Sequence, residues 1–398
     1  MRLGGPSGRT HLTYCTNIHA ADHWPDVLAG LRRHLPAIKR DISPDQHFGV
    51  GLRISASAAA SLCDASALSE LQDLLREGPY YIFTINGFPH GTFHGEAVKE
   101  GAYRPDWSTQ PRLDYTNSLA DILAALLPDG MDGSISTVPG TFKPWANDGV
   151  VEAIADNLIK HVVHLVRIRE KTGKSITLAL EPEPCCLLET FAETVEFFET
   201  RLFSAAAVAR LVERSSLTPG AAEAALRRHL GVCYDVCHAA VEFEDPRASI
   251  KALQNAGIAI SKLQLSSAMR IPRVGPATAE QLQSFVEPVY LHQVVERGPD
   301  GLVRYTDLPD ALANLEPAVG REWRIHFHVP IFLEEMAEVG TTQSFLRDIL
   351  AIQRDTPVTN QLEVETYTWD VLPETYRNIG VSAAIARELT WVRDQLAP

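Results

Sequence analysis

The sequence has few cysteines and no excess of basic residues. It contains 6 cysteines among 398 residues, and no two of them are spaced as Cys-x-x-Cys. We therefore expect free thiols, and we exclude a disulfide scaffold and a structural zinc site of paired cysteines. The 36 Lys and Arg residues are outnumbered by 50 Asp and Glu residues, for a formal net charge of −14 at pH 7. Because no basic field is present to attract phosphates, we do not expect nucleic acid as a partner.

Long apolar runs are also missing. No segment approaches the ~20 apolar residues that cross a bilayer, and residues 1–10 lack the apolar centre of a signal peptide. We therefore expect a cytoplasmic protein without membrane insertion. Nucleotide-binding glycine patterns are absent too, since Gly49 and Gly51 are not followed by the third glycine of a dinucleotide fingerprint. Nicotinamide and ATP chemistry therefore find no support.

Apolar strand-like runs alternate with amphipathic helical stretches along nearly the whole chain. This alternation is typical of βαβ units that build a parallel sheet. The predicted strands are residues 11–17, 48–54, 80–86, 133–138, 176–181, 231–235, 260–264 and 361–366. Eight such strands predict the α/β class and a (β/α)₈ TIM barrel. We assign residues 1–398 to this single domain and expect a flexible segment at residues 1–10.

Two connections are longer than barrel loops usually are. Residues 87–114 form a long loop, and residues 266–340 form an insertion that we place near the barrel mouth, between the seventh and eighth strands. Within this insertion, residues 289–297 and 302–306 flank a Gly-Pro-Asp-Gly turn, which predicts a β-hairpin. Residues 324–330 are a ninth strand candidate, one more than the eight strands of the barrel. They either join the hairpin in a small sheet or serve as a barrel strand.

Polar residues stand at the carboxyl ends of several predicted strands, where barrel proteins carry their sites. Alternation along the strands turns Glu181 and Glu365 toward the barrel interior, and Asp235 ends a third strand. The other polar residues at or just after strand ends are Asn17, Asn86, His238 and Gln264. Converging carboxylates repel one another unless a cation or a shared proton intervenes. We therefore predict a divalent metal ion, Mn²⁺, Mg²⁺ or Zn²⁺; the alternative is that each carboxylate pairs with a buried Arg or Lys.

Histidines and a tryptophan supply further candidates. His326 and His328 alternate with apolar residues, so both imidazoles would lie on one face of a strand, as ligand pairs often do; a hydrogen-bonded structural pair is the alternative. Two more histidines lie in the long loop, and an aromatic ring follows the last strand. The residues that we assign to substrate binding are Asn17, Asn86, His90, His94, His326 and Trp369. Solvated histidines and a core tryptophan are the alternatives.

With these residues, the chain resembles the xylose-isomerase-like TIM barrels, a superfamily of sugar isomerases and epimerases that includes family-two AP endonucleases. Members carry a metal-binding Glu after the fifth strand, Asp and a following His after the sixth, His on the seventh and Glu on the eighth. The resemblance implies that Glu181, Asp235 and Glu365 bind the metal. It also implies that Glu181 and Glu365 act as an acid/base pair and that His238 contacts substrate.

The seventh strand departs from this pattern. Gln264 stands where a histidine is usual. Either its amide oxygen completes the metal site, or His328 or His326 reaches in from the insertion.

Six phrases spread along the chain carry a narrower likeness. They are Leu-Thr-Tyr-Cys-Thr-Asn-Ile-His, Asn-Gly-Phe-Pro, Tyr-Arg-Pro-Asp-Trp, Leu-Glu-Pro-Glu-Pro, His-Phe-His-Val-Pro-Ile-Phe and Glu-Val-Glu-Thr-Tyr-Thr-Trp-Asp. In these the chain resembles the EboE family, the barrel proteins of the ebo metabolite-traffic gene cluster. The resemblance implies secondary metabolism, functional partners encoded in an ebo-type cluster, and a sugar, cyclitol or related polyol as substrate.

Three function hypotheses follow. The first is a metal-dependent isomerase or epimerase that acts on a sugar or cyclitol. The second is a non-catalytic metabolite-binding or trafficking protein on the same barrel, motivated by Gln264. The third is a metal-dependent phosphodiester hydrolase, whose endonuclease form is disfavoured by the acidic balance. The sequence is compatible with a homo-oligomer.

Overall fold

The computed structural model of the protein describes residues 1–4, 9–93, 97–336, 339–372 and 379–397. Its strands, numbered along the chain, are β1 (His11–Tyr14), β2 (Phe48–Arg53), β3 (Tyr80–Asn86), β4 (Gly133–Thr137), β5 (Ile176–Leu180), β6 (Leu230–Asp235), β7 (Ala259–Leu265), β8 (Met269–Ile271), β9 (Val294–Gly298), β10 (Gly301–Tyr305), β11 (Glu322–Ile325), β12 (Glu335–Met336), β13 (Val339–Thr341) and β14 (Gln361–Val364).

The α-helices are numbered in the same way. They are α1 (Trp24–Ile42), α2 (Ala56–Leu62), α3 (Ala65–Glu77), α4 (Gln110–Leu126), α5 (Asp148–Thr172), α6 (Phe191–Phe197), α7 (Ala205–Arg214), α8 (Pro219–His229), α9 (Val236–Val241), α10 (Pro246–Asn255), α11 (Thr278–Leu282), α12 (Leu308–Leu312), α13 (Leu315–Ala318), α14 (Gln343–Asp355) and α15 (Val381–Gln395). Short 3-10 or π turns lie at Thr16–Ile18, Lys99–Tyr103, Lys143–Trp145, Phe198–Leu202, Gln283–Phe285 and Tyr367–Val371.

Eight parallel strands form a nearly closed barrel with helices between them. Their order is β1-β14-β7-β6-β5-β4-β3-β2, and all neighbours pair in parallel. The end strands β1 and β2 meet through a parallel bridge between Cys15 and Gly51. Thr13 strengthens this seam, because its Oγ1 donates to the Gly49 carbonyl at 2.7 Å and accepts from the Gly51 N–H at 3.0 Å. The predicted (β/α)₈ barrel is confirmed.

The predicted barrel strands are also confirmed in position, with small differences at their ends. The first strand, predicted to reach residue 17, ends at Tyr14 because Thr16–Ile18 forms a 3-10 turn. The last strand ends at Val364, two residues before the predicted end. Asn17 and Glu365 therefore lie just beyond the ends of their strands, at the mouth of the barrel.

The insertion after β7 builds a second sheet. Its antiparallel strand order is β10-β9-β11-β8-β13-β12. The strand predicted at residues 289–297 begins only at Val294, and it pairs with β10 across residues 298–301. The alternative in which residues 324–330 form a barrel strand is wrong. Strand β11 pairs with β8 and β9 in the second sheet. In the barrel, β7 pairs directly with β14, with no strand between them.

The barrel strands are buried on both faces. Every residue of β2, β4 and β6 is buried. One hydrophobic cluster joins strand residues such as Leu178, helix residues such as Leu158 and second-sheet residues such as Trp323. This double burial explains the continuous apolar runs in the sequence, and it means that a polar group inside the barrel needs a partner.

Lys262 and Glu363 form such a pair inside the barrel. Both side chains are fully buried, and Lys262 Nζ donates to Glu363 Oε2 at 2.5 Å and to Ser136 Oγ at 3.1 Å. The other carboxylate oxygen, Oε1, occupies the space where a residue other than Gly51 would carry its Cβ. Gly51 is therefore required by close packing against this ion pair.

Gly51→Ala is expected to lower the free energy of unfolding by about 1–3 kcal/mol. The added methyl would overlap the Glu363 carboxylate and would lie 2.8 Å from the Tyr14 carbonyl oxygen. Gly30→Ala in α1 is the matched control, since nothing lies within 4 Å of its added methyl; it should raise stability by about 1 kcal/mol. Urea unfolding measures both, and wild-type stability of Gly51→Ala would contradict the packing argument.

Glu388 on α15 is a buried carboxyl that has no ion pair within the described residues. Its Oε1 accepts hydrogen bonds from Thr366 Oγ1 at 2.7 Å and from the Ile331 N–H at 3.2 Å. Burial raises the pKa of Glu388 from 4.5 to about 7. The folded protein thus holds this proton more tightly than the unfolded chain does. The resulting stabilisation is complete below pH 4.5 and is lost as the pH rises through about 7, by about 3 kcal/mol in total.

Glu388→Gln should therefore flatten the dependence of stability on pH. As the pH rises from about 5 to about 8, the free energy of unfolding should fall more in the wild type than in the variant, because glutamine has no proton to lose. Urea unfolding at several pH values measures this difference, with the exposed Glu316→Gln as control. Equal slopes for wild type and Glu388→Gln would show that this carboxyl does not cause the effect.

Three further expectations concern single features. All six cysteines are free, as predicted. None of the helices in the described part of the chain combines the length and apolarity needed to span a bilayer. In the segment expected to be flexible, Met1 is buried and the Leu3 N–H donates to the Thr10 carbonyl, while residues 5–8 lie outside the described residues.

Candidate functional site

A buried cavity lies at the carboxyl ends of the barrel strands, where the site was predicted. Its free volume is about 50 Å³, enough for about four water molecules. The polar residues that line it are Asn17, Asn86, Lys99, Tyr103, Glu181, Glu183, Tyr290, His238, His326, His328, Glu365 and Tyr367. Barrel and insertion both contribute, and the insertion supplies Tyr290, Leu291, His326 and His328, which lie just outside the strands of the second sheet.

Three carboxylates converge beside this cavity, and two of them, Glu181 and Glu365, line it. Glu181 follows β5, Asp235 ends β6 and Glu365 follows β14. One oxygen from each lies within 4.8 Å of the other two, and all three side chains are buried. Parallel strands deliver their carboxyl ends to the same edge of a barrel, so three neighbouring side chains meet there.

Two carboxylate oxygens of this cluster have no hydrogen-bond partner among the described residues. Asp235 Oδ1 accepts from Ser266 Oγ at 2.7 Å and from the His238 N–H at 3.1 Å, but Asp235 Oδ2 and Glu181 Oε2 have no hydrogen-bond partner among the described residues. No Lys or Arg of the described ranges lies within ion-pair distance of the three carboxylates; Lys262 pairs with Glu363 instead. The alternative in which each carboxylate pairs with a buried Arg or Lys is therefore wrong for these residues.

The electrostatics of the cluster favour an added positive charge. Burial, with the charge of Asp235, raises the pKa of Glu181 to about 7. Burial and the charges of Glu181 and Asp235 raise the pKa of Glu365 well above its ordinary value. Burial acts in the same direction on Asp235, but His238, His328 and the hydrogen bond from Ser266 outweigh it and lower the pKa of Asp235. Glu181 and Glu365 thus hold protons tightly unless a cation replaces them.

Two asparagines donate hydrogen bonds to the Glu365 carboxylate. Asn17 Nδ2 and Asn86 Nδ2 donate to Glu365 Oε1 at 2.6 and 3.0 Å. Asn86 Oδ1 in turn accepts from the Phe88 N–H at 3.0 Å, which orients the amide. Both asparagines, predicted to bind substrate, line the cavity and hold the carboxylate in place.

His326 and His328 both reach the cavity, although not from a strand face. Strand β11 ends at Ile325, and residues 326–330 follow without regular secondary structure. His328 Nδ1 donates to the Glu365 carbonyl at 3.1 Å, while the buried Nε2 has no hydrogen-bond partner in the part of the chain described. One nitrogen of His328 lies within 4.8 Å of Asp235 and His238 ligand atoms.

The donor set fits a divalent cation. Carboxylate oxygens without partners and a bare imidazole nitrogen, all buried, are ligands that Mn²⁺ and Zn²⁺ accept. Gln264 lies on β7 in register with Asp235 and Glu363, and its Nε2 has no partner among the described residues. Gln264 does not line the cavity, whereas His328 does.

Three residues assigned to substrate binding lie elsewhere or are not described. The His90 ring packs against Tyr115, 4.8 Å between ring centroids, and it does not line the described cavity. Trp369 is buried in the hydrophobic core. His94 lies outside the described residues.

Sequence reasoning missed five polar residues that line the cavity: Lys99, Tyr103, Glu183, Tyr290 and Tyr367. Glu183 lines the cavity and accepts a hydrogen bond from Tyr103 Oη at 2.8 Å. A signal for Glu183 was present, because it follows Glu181 by two residues in Glu-Pro-Glu-Pro. Tyr103 carried none, since it comes from the long loop, whose path no local pattern predicts.

A cluster of three aromatic rings, here called the aromatic cap, lines the cavity. It consists of Phe93, Tyr290 and Tyr367, whose ring centroids lie 5.0 to 5.2 Å apart. Phe93 comes from the long loop and Tyr290 from the insertion, so both predicted insertions contribute to the site.

The sequence matches no family model and no curated protein. Solved structures similar to the chain include an IolI protein with a bound zinc atom, at 15% identity and a TM-score of 0.47, covering 97% of this chain and 98% of that one. An L-ribulose 3-epimerase is 12% identical with a TM-score of 0.47, covering 97% and 94%. A xylose isomerase domain protein from Alicyclobacillus acidocaldarius is 9% identical with a TM-score of 0.37, covering 64% and 73%.

Proposed function

We propose that the protein is a metal-dependent isomerase or epimerase that acts on a sugar, a cyclitol or a related polyol. The observation that carries this proposal is the buried cluster of Glu181, Asp235 and Glu365 at the mouth of the barrel, with two carboxylate oxygens that lack hydrogen-bond partners among the described residues. A cluster of this kind suits proton transfer next to a polarised oxygen.

Glu181, Asp235 and Glu365 would hold the metal ion, with His328 or Gln264 as the further ligand. The bare, buried Nε2 of His328 supports the histidine. A divalent ion such as Mn²⁺, Mg²⁺ or Zn²⁺ supplies Lewis acidity toward a substrate hydroxyl or carbonyl.

Glu181 and Glu365 would remove and return a proton at a substrate carbon. Asn17 and Asn86 hold Glu365 through Oε1, which leaves Oε2 for the proton. The two residues come from β5 and β14, so they can face a bound substrate from different sides.

The remaining lining residues would bind and enclose the substrate. His238 keeps its Nδ1 on the Pro182 carbonyl at 2.9 Å, so its Nε2 can accept a hydrogen bond from a hydroxyl. The ring faces of the aromatic cap suit the C–H surface of a sugar or cyclitol.

We further propose a place in secondary metabolism of the EboE type, in the cytoplasm. Support comes from where the EboE-like phrases lie. Leu-Glu-Pro-Glu-Pro contains Glu181 and Glu183, and His-Phe-His-Val-Pro-Ile-Phe contains His326 and His328. The phrases thus coincide with the cavity. Functional partners would be encoded in an ebo-type cluster.

Elemental analysis of untagged protein tests the metal requirement. We expect divalent metal bound to wild type and its loss from Glu181→Ala/Glu365→Ala, because that variant lacks two of three clustered carboxylates. Glu196→Ala/Glu199→Ala, which changes two exposed glutamates, is the matched control and should keep its metal.

Wild-type protein is then incubated in D₂O with free ketoses and keto-cyclitols, and deuterium at carbon is measured by NMR. Exchange supports the isomerase. Ligand-induced stabilisation by the same compounds without exchange would instead identify the non-catalytic binding protein.

A further inference from the structure

Strand β10 is an exposed edge of the second sheet. Its one strand partner in the described part of the chain is β9. Residues 301–304 are exposed, and two of them are large and apolar: Leu302 is 37% exposed and Val303 43%. They are half of the four exposed large hydrophobic residues among those described. An edge strand with apolar side chains in solvent is a template for pairing with another strand.

The backbone of β9 alternates between its two neighbours, β10 and β11. The His326 N–H, just after β11, donates to the Gln293 carbonyl at 2.8 Å, so the backbone groups of Gln293 face β11. In an antiparallel sheet, the backbone groups of successive residues point to opposite sides of the strand. Those of Val294 and Glu296 therefore face β10.

The same alternation identifies the free backbone groups of β10. The partners of the two β9 residues that face β10 are Tyr305 and Val303, so these use their N–H and carbonyl groups on β9. Leu302 and Arg304 alternate with them and point their N–H and carbonyl groups away from β9. The open edge therefore offers two donors and two acceptors to an antiparallel partner.

The charge of Arg304 does not protect this edge. Arg304 Nη2 donates to Glu242 Oε2 at 2.5 Å, and Arg304 Nε lies 3.3 Å from Glu189 Oε2. Both carboxylates are buried, one just after α9 and the other just before α6. Charged side chains guard a sheet edge when they present a free charge there. The guanidinium is instead paired with carboxylates of the barrel, so no unpaired charge opposes a strand at this edge.

We propose that β10 pairs with β10 of a second copy of this chain, in antiparallel orientation about a two-fold axis at Val303. Leu302 of each copy then lies opposite Arg304 of the other copy, and their outward backbone groups form four hydrogen bonds. Val303 lies opposite Val303 as a pair without hydrogen bonds, the position in which facing side chains come closest. The two six-stranded sheets become one continuous sheet.

Other positions of the axis fit less well. An axis at Arg304 would set two guanidinium groups directly opposite each other, which is unfavourable for like charges. An axis at Leu302 would set Arg304 opposite Asp300, which lies in the turn between β9 and β10 and not in the strand. The axis at Val303 instead pairs all four outward groups within the strand.

A second β10 suits this edge better than another strand of the chain does. The end strands of the barrel are already bridged at Cys15 and Gly51. The opposite edge of the second sheet, β12, has two residues in the described chain. Pairing of β10 with β12 of another copy would leave one edge of each kind open and would extend into a filament, whereas pairing of β10 with β10 closes as a dimer.

The contact is small. Four backbone hydrogen bonds and one central apolar pair provide less than the roughly 1,600 Å² that a stable interface usually buries. We therefore expect a dimer that dissociates on dilution.

Sedimentation equilibrium of the full chain, from low to high micromolar concentration, tests the proposal. We compare wild type with Val303→Lys, Val303→Glu and an equimolar mixture of these two variants. Ile379→Glu is the matched control, since Ile379 is 45% exposed and lies outside the second sheet.

We expect wild type and Ile379→Glu to form dimers as the concentration rises. Val303→Lys and Val303→Glu should each associate more weakly by about tenfold, because like charges then face each other across the axis. Their mixture should recover dimers, because opposite charges face each other instead.

A wild type that stays monomeric at the highest concentration would overturn the proposal. Dimers that persist in both Val303 variants would overturn it as well, since the interface would then lie elsewhere. If each variant is monomeric and the mixture is monomeric too, the axis at Val303 is wrong.

If the charged variants do not fold, cross-linking decides. Val303→Cys is combined with Cys63→Ser, which removes the exposed native thiol, and the protein is oxidised with glutathione disulfide. Residues that pair without hydrogen bonds have Cα atoms about 4.5 Å apart, within the range that a disulfide spans. A disulfide-linked dimer that Cys63→Ser alone does not form supports the axis at Val303, and its absence overturns it.

Discussion

Glu181→Gln is expected to stop hydrogen exchange from one of the two epimers of the substrate while sparing exchange from the other, and Glu365→Gln is expected to do the reverse. Each glutamine removes one of two groups that accept a proton from carbon, and each group reaches one side of the substrate. The affected exchange should fall by about 10²–10⁴-fold, the usual contribution of a positioned acid or base.

The measurement is deuterium incorporation from D₂O into each epimer separately, followed by NMR. Zinc or manganese content is determined on the same samples, because both glutamates are also proposed ligands. Glu196→Gln, an exposed residue outside the cavity, serves as control and should exchange both epimers at the wild-type rate.

An equal loss from both epimers in both variants, with metal retained, would contradict the assignment of two opposed bases. The same loss accompanied by loss of metal would instead assign Glu181 and Glu365 a ligand role alone. Glu181→Asp separates these results further, since it keeps the charge and shortens the reach toward carbon.

Lys262→Met is expected to destabilise the protein by about 3–5 kcal/mol. Lys262 and Glu363 are fully buried and joined at 2.5 Å, so removing the ammonium leaves a carboxylate without its cation inside the barrel. Ser136 also loses its contact with Lys262 Nζ, which lies at 3.1 Å. The expected loss is a large fraction of the free energy of unfolding of a typical domain.

Urea unfolding compares Lys262→Met with Lys262→Met/Glu363→Leu. The double variant replaces both charges with apolar side chains of similar size, and we expect it to recover most of the lost stability. If the double variant is no more stable than Lys262→Met, the loss comes from packing and not from the unpaired carboxylate.

The barrel was predictable because its strands are buried on both faces. Such strands appear as continuous apolar runs, for instance at residues 80–86, which the structure reproduces as β3. The helices between them obey local capping rules; Thr190 and Glu193 form the reciprocal hydrogen bonds of a capping box at the start of α6. Neither signal depends on residues that are distant in sequence.

The carboxylate cluster was predictable for a related reason. Parallel strands place their carboxyl ends at one edge, so a charged residue at the end of an apolar run points to that edge wherever the strand lies in the chain. Glu181, Asp235 and Glu365 met this criterion and lie together. Glu363 met it too, but it sits one layer deeper, where Lys262 neutralises it.

The insertion could not be placed in the same way. Its strands are short and antiparallel, and β11 is held by β8 and β9, which lie more than 20 residues away in sequence. Whether His326 and His328 enter the cavity depends on where β11 stops, and that depends on these long-range pairings. A strict alternation from residue 324 to 330 would have put both imidazoles on a strand face instead.

By itself, then, the sequence determined the barrel and the three carboxylates at its mouth, since both follow from local apolar patterning and from the common direction of parallel strands. Only the tertiary structure decided which side chains surround those carboxylates. Asn17 and Asn86 hold Glu365, and His238 faces His326, across separations of 348, 279 and 88 residues. Contacts at such separations depend on how loops and sheets pack against one another, which no local pattern encodes.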